Sequence, residues 1–126
     1  MKQLFTISAI VVLLSSFTVA TGIDDVILAM KTGNSAQIAK FFDNSVEISM
    51  PDKSNSYSKS QAELILKDFF GNNPIKGFEI IHKGENAGSQ YCIGTLQTKT
   101  GSYRTTIFMK QKANAQVLQE LRFENR

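Results

Sequence analysis

Cysteine and histidine each occur once, as Cys92 and His82, and tryptophan is absent. A lone cysteine excludes an intrachain disulfide. One His and one Cys do not make the clustered ligand set that a metal site needs, so neither a metal nor another cofactor is expected. No glycine-rich phosphate loop and no Ser-His-Asp arrangement stands out. Basic residues are not gathered into a stripe. The 14 Lys and Arg outnumber 11 Asp and Glu by only three, and the lysines fall singly from Lys31 onward, with only Lys110 and Lys112 close together. A nucleic-acid binder concentrates its positive charge, so that partner class is set aside. Cys92 lies in the middle of a strand-like run between Tyr91 and Ile93. A small buried apolar residue is the reading for it, since a reactive thiol needs a cationic, accessible setting.

Long apolar runs are also missing, except at the start. Lys2 precedes an uncharged stretch from Leu4 to Val19 that includes Phe5, Ile7, Ile10, Val11, Val12, Leu13 and Leu14. Small residues follow through Ala20 and Gly22. This order predicts a signal peptide over residues 1–22, cleaved after Ala20 or Gly22. The run is short for a membrane span and is interrupted by Thr6, Ser8, Ser15 and Ser16. No cysteine follows it to carry a lipid anchor. The expectation is a secreted, periplasmic protein with no membrane attachment after cleavage. Residues 23–126 then suffice for one domain and no more.

In that domain Ile23, Val26, Ile27 and Met30 recur on one helical face, with Asp24 and Asp25 in the first turn and Gly33 as the stop. A second short helix is expected after Asn34 or Ser35, with Ile38, Ala39, Phe41 and Phe42 as its apolar side. Val46, Ile48 and Met50 alternate with polar residues, which predicts a strand over Ser45–Met50. Pro51 to Ser56 reads as a polar loop. Ser58 with Gln61, or Ser60 with Glu63, can open a third helix, whose stripe is Ala62, Ile65, Leu66 and Phe69, widened by Phe70. Gly71 to Pro74 ends it.

Four strand-like runs follow: Lys76–Lys83, Gln90–Lys99, Ser102–Gln111 and Gln116–Glu124. Their short gaps force an antiparallel meander. A turn on Thr100-Gly101 would set Gly94 opposite Ile107 and Cys92 opposite Met109. A turn near Ala113 would set Met109 opposite Val117 and Tyr103 opposite Phe123. One face then carries Cys92, Gly94, Leu96, Tyr103, Ile107, Met109, Val117, Leu121 and Phe123, and should receive the helices. The other carries Tyr91, Ile93, Arg104, Thr106, Phe108, Leu118, Glu120 and Arg122, with Arg104 facing Arg122. A one-residue slip would exchange the faces. The class is α+β, in the order α-α-β-α-β-β-β-β.

That order resembles the nuclear transport factor 2-like cone shared by ketosteroid isomerase, scytalone dehydratase and SnoaL-type cyclases. The chain is more similar still to a family of small secreted bacterial proteins known only as a domain of unknown function. The residues that carry this are Tyr57-Ser58-Lys59-Ser60-Gln61-Ala62-Glu63, Leu66-Lys67-Asp68-Phe69-Phe70, Ile80-Ile81-His82-Lys83-Gly84, Tyr91-Cys92-Ile93-Gly94-Thr95-Leu96 and Leu121-Arg122-Phe123-Glu124. The resemblance spans the mature chain. It implies a curved sheet packed by three N-terminal helices, but no activity.

Catalysis of the isomerase kind needs a carboxylate and a hydrogen-bond donor converging in an apolar cavity. His82 is the one weak candidate base, while Asp43 ends the second helix and Asp68 lies on the third beside Phe69. Nothing in the spacing joins them. The expected role is therefore non-enzymatic binding of a protein or a small apolar ligand, with a lyase or isomerase pocket between the third helix and the sheet as the alternative. Phe41, Phe42, Phe69, Phe78 and Tyr103 are candidates to line such a pocket, with Gly94 leaving space, although the same aromatics can simply fill a core. Ile93, Phe108 and Leu118 form an expected apolar row on the outer sheet face, which Tyr91 and Ile81 can extend, rimmed by Arg104, Thr106, Glu120 and Arg122. An apolar row on a sheet face marks an interface. Relatives with the cone fold pair through this face, so the resemblance implies a homodimer.

Overall fold

The computed structural model describes residues 22–126. The expected signal peptide therefore lies outside the described residues, apart from Gly22. The elements are α1 (Gly22–Thr32), α2 (Ser35–Ala39), β1 (Phe42–Met50), β2 (Lys53–Ser58), α3 (Lys59–Asn72), β3 (Ile75–Asn86), β4 (Ser89–Thr98), β5 (Gly101–Lys112) and β6 (Ala115–Asn125). They form a six-stranded sheet in the order β2-β1-β6-β5-β4-β3. All pairings are antiparallel except β1 with β6, which is parallel.

The helices form where the periodicity and caps expected them. Val26 and Met30 of α1 are fully buried, and α1 packs across β3. Asn34 caps α2 through its side chain, which accepts from the Gln37 N–H. Ser58 and Gln61 form the reciprocal capping box of α3. Helix α3 buries Ala62, Leu66, Phe69 and Phe70 and packs against α2, β1 and β2.

Two elements differ from the sequence expectation. Pro51 to Ser56, expected as loop, holds a two-residue turn and most of the edge strand β2, which pairs with β1 from Met50 opposite Lys53. An edge strand with water on most of its surface has no need of apolar alternation, and only Tyr57 packs on the core. Phe42, expected on the second helix, opens β1, where it pairs with Leu118 of β6.

The β4–β5 register is two residues from the expected one. Cys92 pairs with Ile107 and Gly94 with Thr105, because the turn is Lys99-Thr100 and is closed by Thr98 opposite Gly101. The Thr98 hydroxyl fixes this turn by accepting from the Thr100 and Gly101 N–H groups, both at 3.1 Å. A two-residue slide preserves both faces. The β5–β6 hairpin behaves otherwise. Met109 pairs with Leu118, not Val117, and a bulge at Gln119 then restores the phase, so that Ile107 meets Leu121 and Thr105 meets Phe123. The one-residue difference turns Leu118 inward, where it is 0% exposed. Leu118 therefore belongs to the core and not to the outer face.

Candidate functional site

On the helix-covered side of the sheet, Phe69, Tyr103 and Phe78 of the expected lining pack against neighbouring rings and backbone. Phe69 of α3 stacks 4.5 Å from the ring of Phe123 and meets Tyr103 edge-on at 5.3 Å. Phe78 occupies the gap over Gly94, where an added Cβ would lie 2.6 Å from Phe78 Cζ and 2.6 Å from the Glu79 carbonyl oxygen. Thus Gly94 admits a ring and a neighbouring strand, not a ligand. Phe41 lies elsewhere, half-buried in a groove of about 420 Å³ between α1 and α2 that Asp25, Leu28 and Lys40 also line.

A second cleft, of about 290 Å³, opens between the β1–β2 turn and α3. Met50, Ile65 and Phe69 give it an apolar wall, and Asp52, Lys53, Asp68, Asn72 and Asn73 a polar rim. Asn73 ties this corner together. Its Nδ2 donates to the Phe69 carbonyl at 2.9 Å, and its Oδ1 accepts from the Tyr103 hydroxyl at 3.2 Å and from the Thr100 hydroxyl.

His82 is not near that cleft. It pairs with Ile93, and cross-strand partners share a face, so it stands on the side of the sheet away from the helices. There its Nε2 lies 2.7 Å from the Tyr91 hydroxyl. Tyr91 crosses Gly84, where a Cβ would come within 2.8 Å of the hydroxyl and 3.0 Å of the ring, so the glycine lets the ring lie flat over the edge strand. The pair is exposed, and no carboxylate among the described residues hydrogen-bonds to it. Among the described residues no group of three or more His, Cys, Asp or Glu is placed to hold a metal ion, and no helix is long and apolar enough to cross a membrane.

The same outer face collects most of the expected interface residues. Tyr91 pairs with Phe108, Ile93 with Thr106, and all four are partly exposed, with no helix of the described residues above them. A bulge between Ile80 and His82 pushes out Ile81, which is 51% exposed. The charges differ from the expected ladder. Arg104 pairs with Glu124, at 3.9 Å, rather than facing Arg122. Arg122 instead reaches along its own strand to Glu120 at 2.8 Å. Glu47 and Ser49 of β1 stand beside Glu120 and Arg122, so the expected strand β1 widens the polar half of this face, and the unexpected strand β2 extends it. Ser54, Ser56 and Ser58 of β2 are exposed, so no apolar period marks that extension in the sequence.

Buried groups behave as structural residues. Cys92 is fully buried, and burial pushes its thiol up to about 11, which leaves it unreactive at neutral pH. Asp43 accepts from Lys112 Nζ at 2.9 Å and Gln119 Nε2 at 3.0 Å, and these hydrogen bonds lower its pKa to about 2.

Similarity to known proteins agrees with this architecture. The model of the family described as Domain of unknown function (DUF4783) matches residues 23–124. A DUF4783 protein from Bacteroides uniformis superposes with a TM-score of 0.81 at 29% identity, over 84% of this chain and 98% of the other. One from Bacteroides ovatus gives 0.78 at 29% identity, over 81% and 93%. An NTF2-like protein of unknown function from Cytophaga hutchinsonii gives 0.62 at 10% identity, over 85% and 91%, a likeness of fold. No curated protein matches the chain. The chain is a member of the DUF4783 family, a domain of unknown function built on the nuclear transport factor 2-like α+β fold.

Proposed function

We propose that this is a secreted, periplasmic, non-enzymatic binding domain that works as a two-fold homodimer through the outer face of its sheet. One observation supports the reading: Tyr91, Ile93 and Phe108 share a sheet face that no helix among the described residues covers, with the exposed Ile81 at the bulge of the neighbouring edge strand. Water-covered sheet faces are normally polar, and contiguous apolar patches mark interfaces. A second copy is the occupant that the charges favour. Arg104 and Arg122 lie beside Glu120 and Glu124, so a copy rotated by a two-fold axis brings opposite charges against each other at the rim. Phe108→Glu places two carboxylates in the desolvated centre of that pairing. It should convert the dimer to a monomer without changing the far-ultraviolet circular dichroism.

A second reading rests on the cleft beside α3. Its apolar wall of Met50, Ile65 and Phe69, rimmed by Asp68 and Asn73, suits a small apolar ligand with one polar end. It also marks where a lyase or isomerase chemistry would have to act, without help from His82. A panel of small apolar compounds, read by thermal unfolding, tests it. A binder at a hundred times its Kd adds about 2.7 kcal/mol to stability, and a flat response across the panel counts against this reading.

A further inference from the structure

We infer that the cleft beside α3 takes a small aliphatic amine in its protonated form, with the alkyl chain on the apolar wall and the ammonium group at the rim beside Asp52 and Asp68. The inference rests on the second reading above, a small ligand with one polar end, and adds the charge of that end.

The wall is held in place without a ligand. Phe69 is backed by the ring of Phe123 at 4.5 Å and by that of Tyr103 at 5.3 Å. Asn73 engages its side chain with the Phe69 carbonyl and with the Tyr103 and Thr100 hydroxyls, which fixes the end of α3. On the opposite side Pro51, with its locked φ, stiffens the turn between β1 and β2. At about 30 Å³ for a water-sized group, the cleft of about 290 Å³ holds roughly ten non-hydrogen atoms. An amine with a medium-length alkyl chain is of that size.

The sign of the polar end follows from the rim. Two carboxylates line it, Asp52 and Asp68, against one ammonium, that of Lys53. The cleft also lies at the C-terminal end of α3, since Phe69 and Asn72 line it and the helix ends at Asn72. A helix dipole leaves roughly half a negative charge at that end. Lys or Arg commonly offsets it, yet the last turn of α3 holds no basic residue. Asp68, one turn before the end, adds to the negative charge. It accepts from Asn72 Nδ2 at 3.5 Å, a contact long enough to yield to a stronger donor. Lys53 is exposed and stands opposite Met50 on the edge of the sheet. Its flexible stem lets the methylenes cover apolar surface while the charge stays in water. A cation at the rim therefore gains from the dipole and from both carboxylates, and an anion gains from Lys53 alone. An ammonium also brings three N–H donors to carboxylates that can only accept.

Titration of the protein at about pH 7 with n-octylammonium, octanoate and n-octanol tests this, followed by nuclear magnetic resonance shifts. The three probes share one chain and differ in charge. Octylammonium should bind about tenfold tighter than octanoate, with octanol between them. Its shifts should fall on Ile65, Asp68 and Asn72. Asp68→Asn should weaken octylammonium by about threefold and leave octanol unchanged, and Lys53→Met should strengthen octylammonium. Both side chains are exposed, so the fold tolerates the changes. Octanoate binding as tightly as octylammonium would overturn the inference and leave the apolar-ligand reading standing. Octylammonium shifts confined to the groove between α1 and α2, or an affinity that Asp68→Asn does not change, would overturn its placement. Binding by none of the three probes would overturn both readings.

Discussion

The ring of Phe78 fills the space that a side chain on Gly94 would take, with Phe78 Cζ 2.6 Å from the position of the missing Cβ. The Glu79 carbonyl oxygen crowds the same point at the same distance, and being backbone it cannot swing aside. Gly94→Ala should therefore destabilise the domain by about 1–3 kcal/mol, the usual cost of overpacking a core. Urea unfolding measures it. A neutral substitution would mean that the interior has slack.

Asp43 predicts how the fold responds to acid. Hydrogen bonds from Lys112 and Gln119 depress its pKa from 3.8 to about 2. A depressed carboxylate contributes stability above its unfolded pKa and loses it as pH falls through the folded one, here from about 4 down to about 2. Lys112 is half exposed, so water screens the pair and the contribution is on the order of 1 kcal/mol. Asp43→Asn should flatten the pH dependence of stability in that window and leave it unchanged near neutrality apart from a constant offset.

These two sites also mark what the sequence can and cannot reveal. The stripe Ile23, Val26, Ile27 and Met30 and the Ser58–Gln61 box are local patterns, and the helices they announce are present. The faces of β4 and β5 survived a misplaced turn because the slide was an even number of residues. Leu118 was not legible. Its inward turn depends on the bulge at Gln119, and that bulge is held by a hydrogen bond to Asp43, 76 residues away, on a strand paired in parallel with β6. The strand β2 was illegible for a different reason, since an exposed edge of serines carries no apolar period. At the candidate interface, Ile93 and Phe108 were visible from alternation alone, while the Arg104–Glu124 and Arg122–Glu120 pairs needed the true register.

Asn73 joins the end of α3 to the β4–β5 turn through Phe69, Tyr103 and Thr100. Asn73→Ala leaves the partly buried Tyr103 hydroxyl without its acceptor and removes the side-chain bond to the Phe69 carbonyl, while the backbone N–H of residue 73 still caps α3. We expect a loss of about 1–2 kcal/mol. Tyr103→Phe should cost less, because it removes the orphaned group together with the bond. Chemical denaturation of both variants separates the two, and a Tyr103→Phe variant with no loss would mean that Asn73 acts only through the helix end.

The measurement that bears most directly on the proposed function is sedimentation equilibrium of the domain spanning residues 23–126, at tens of micromolar and low salt, beside its Phe108→Glu variant. The account predicts a dimer mass for the wild-type chain and a monomer mass for the variant, with unchanged far-ultraviolet spectra. A wild-type chain that sediments as a monomer under those conditions would contradict it.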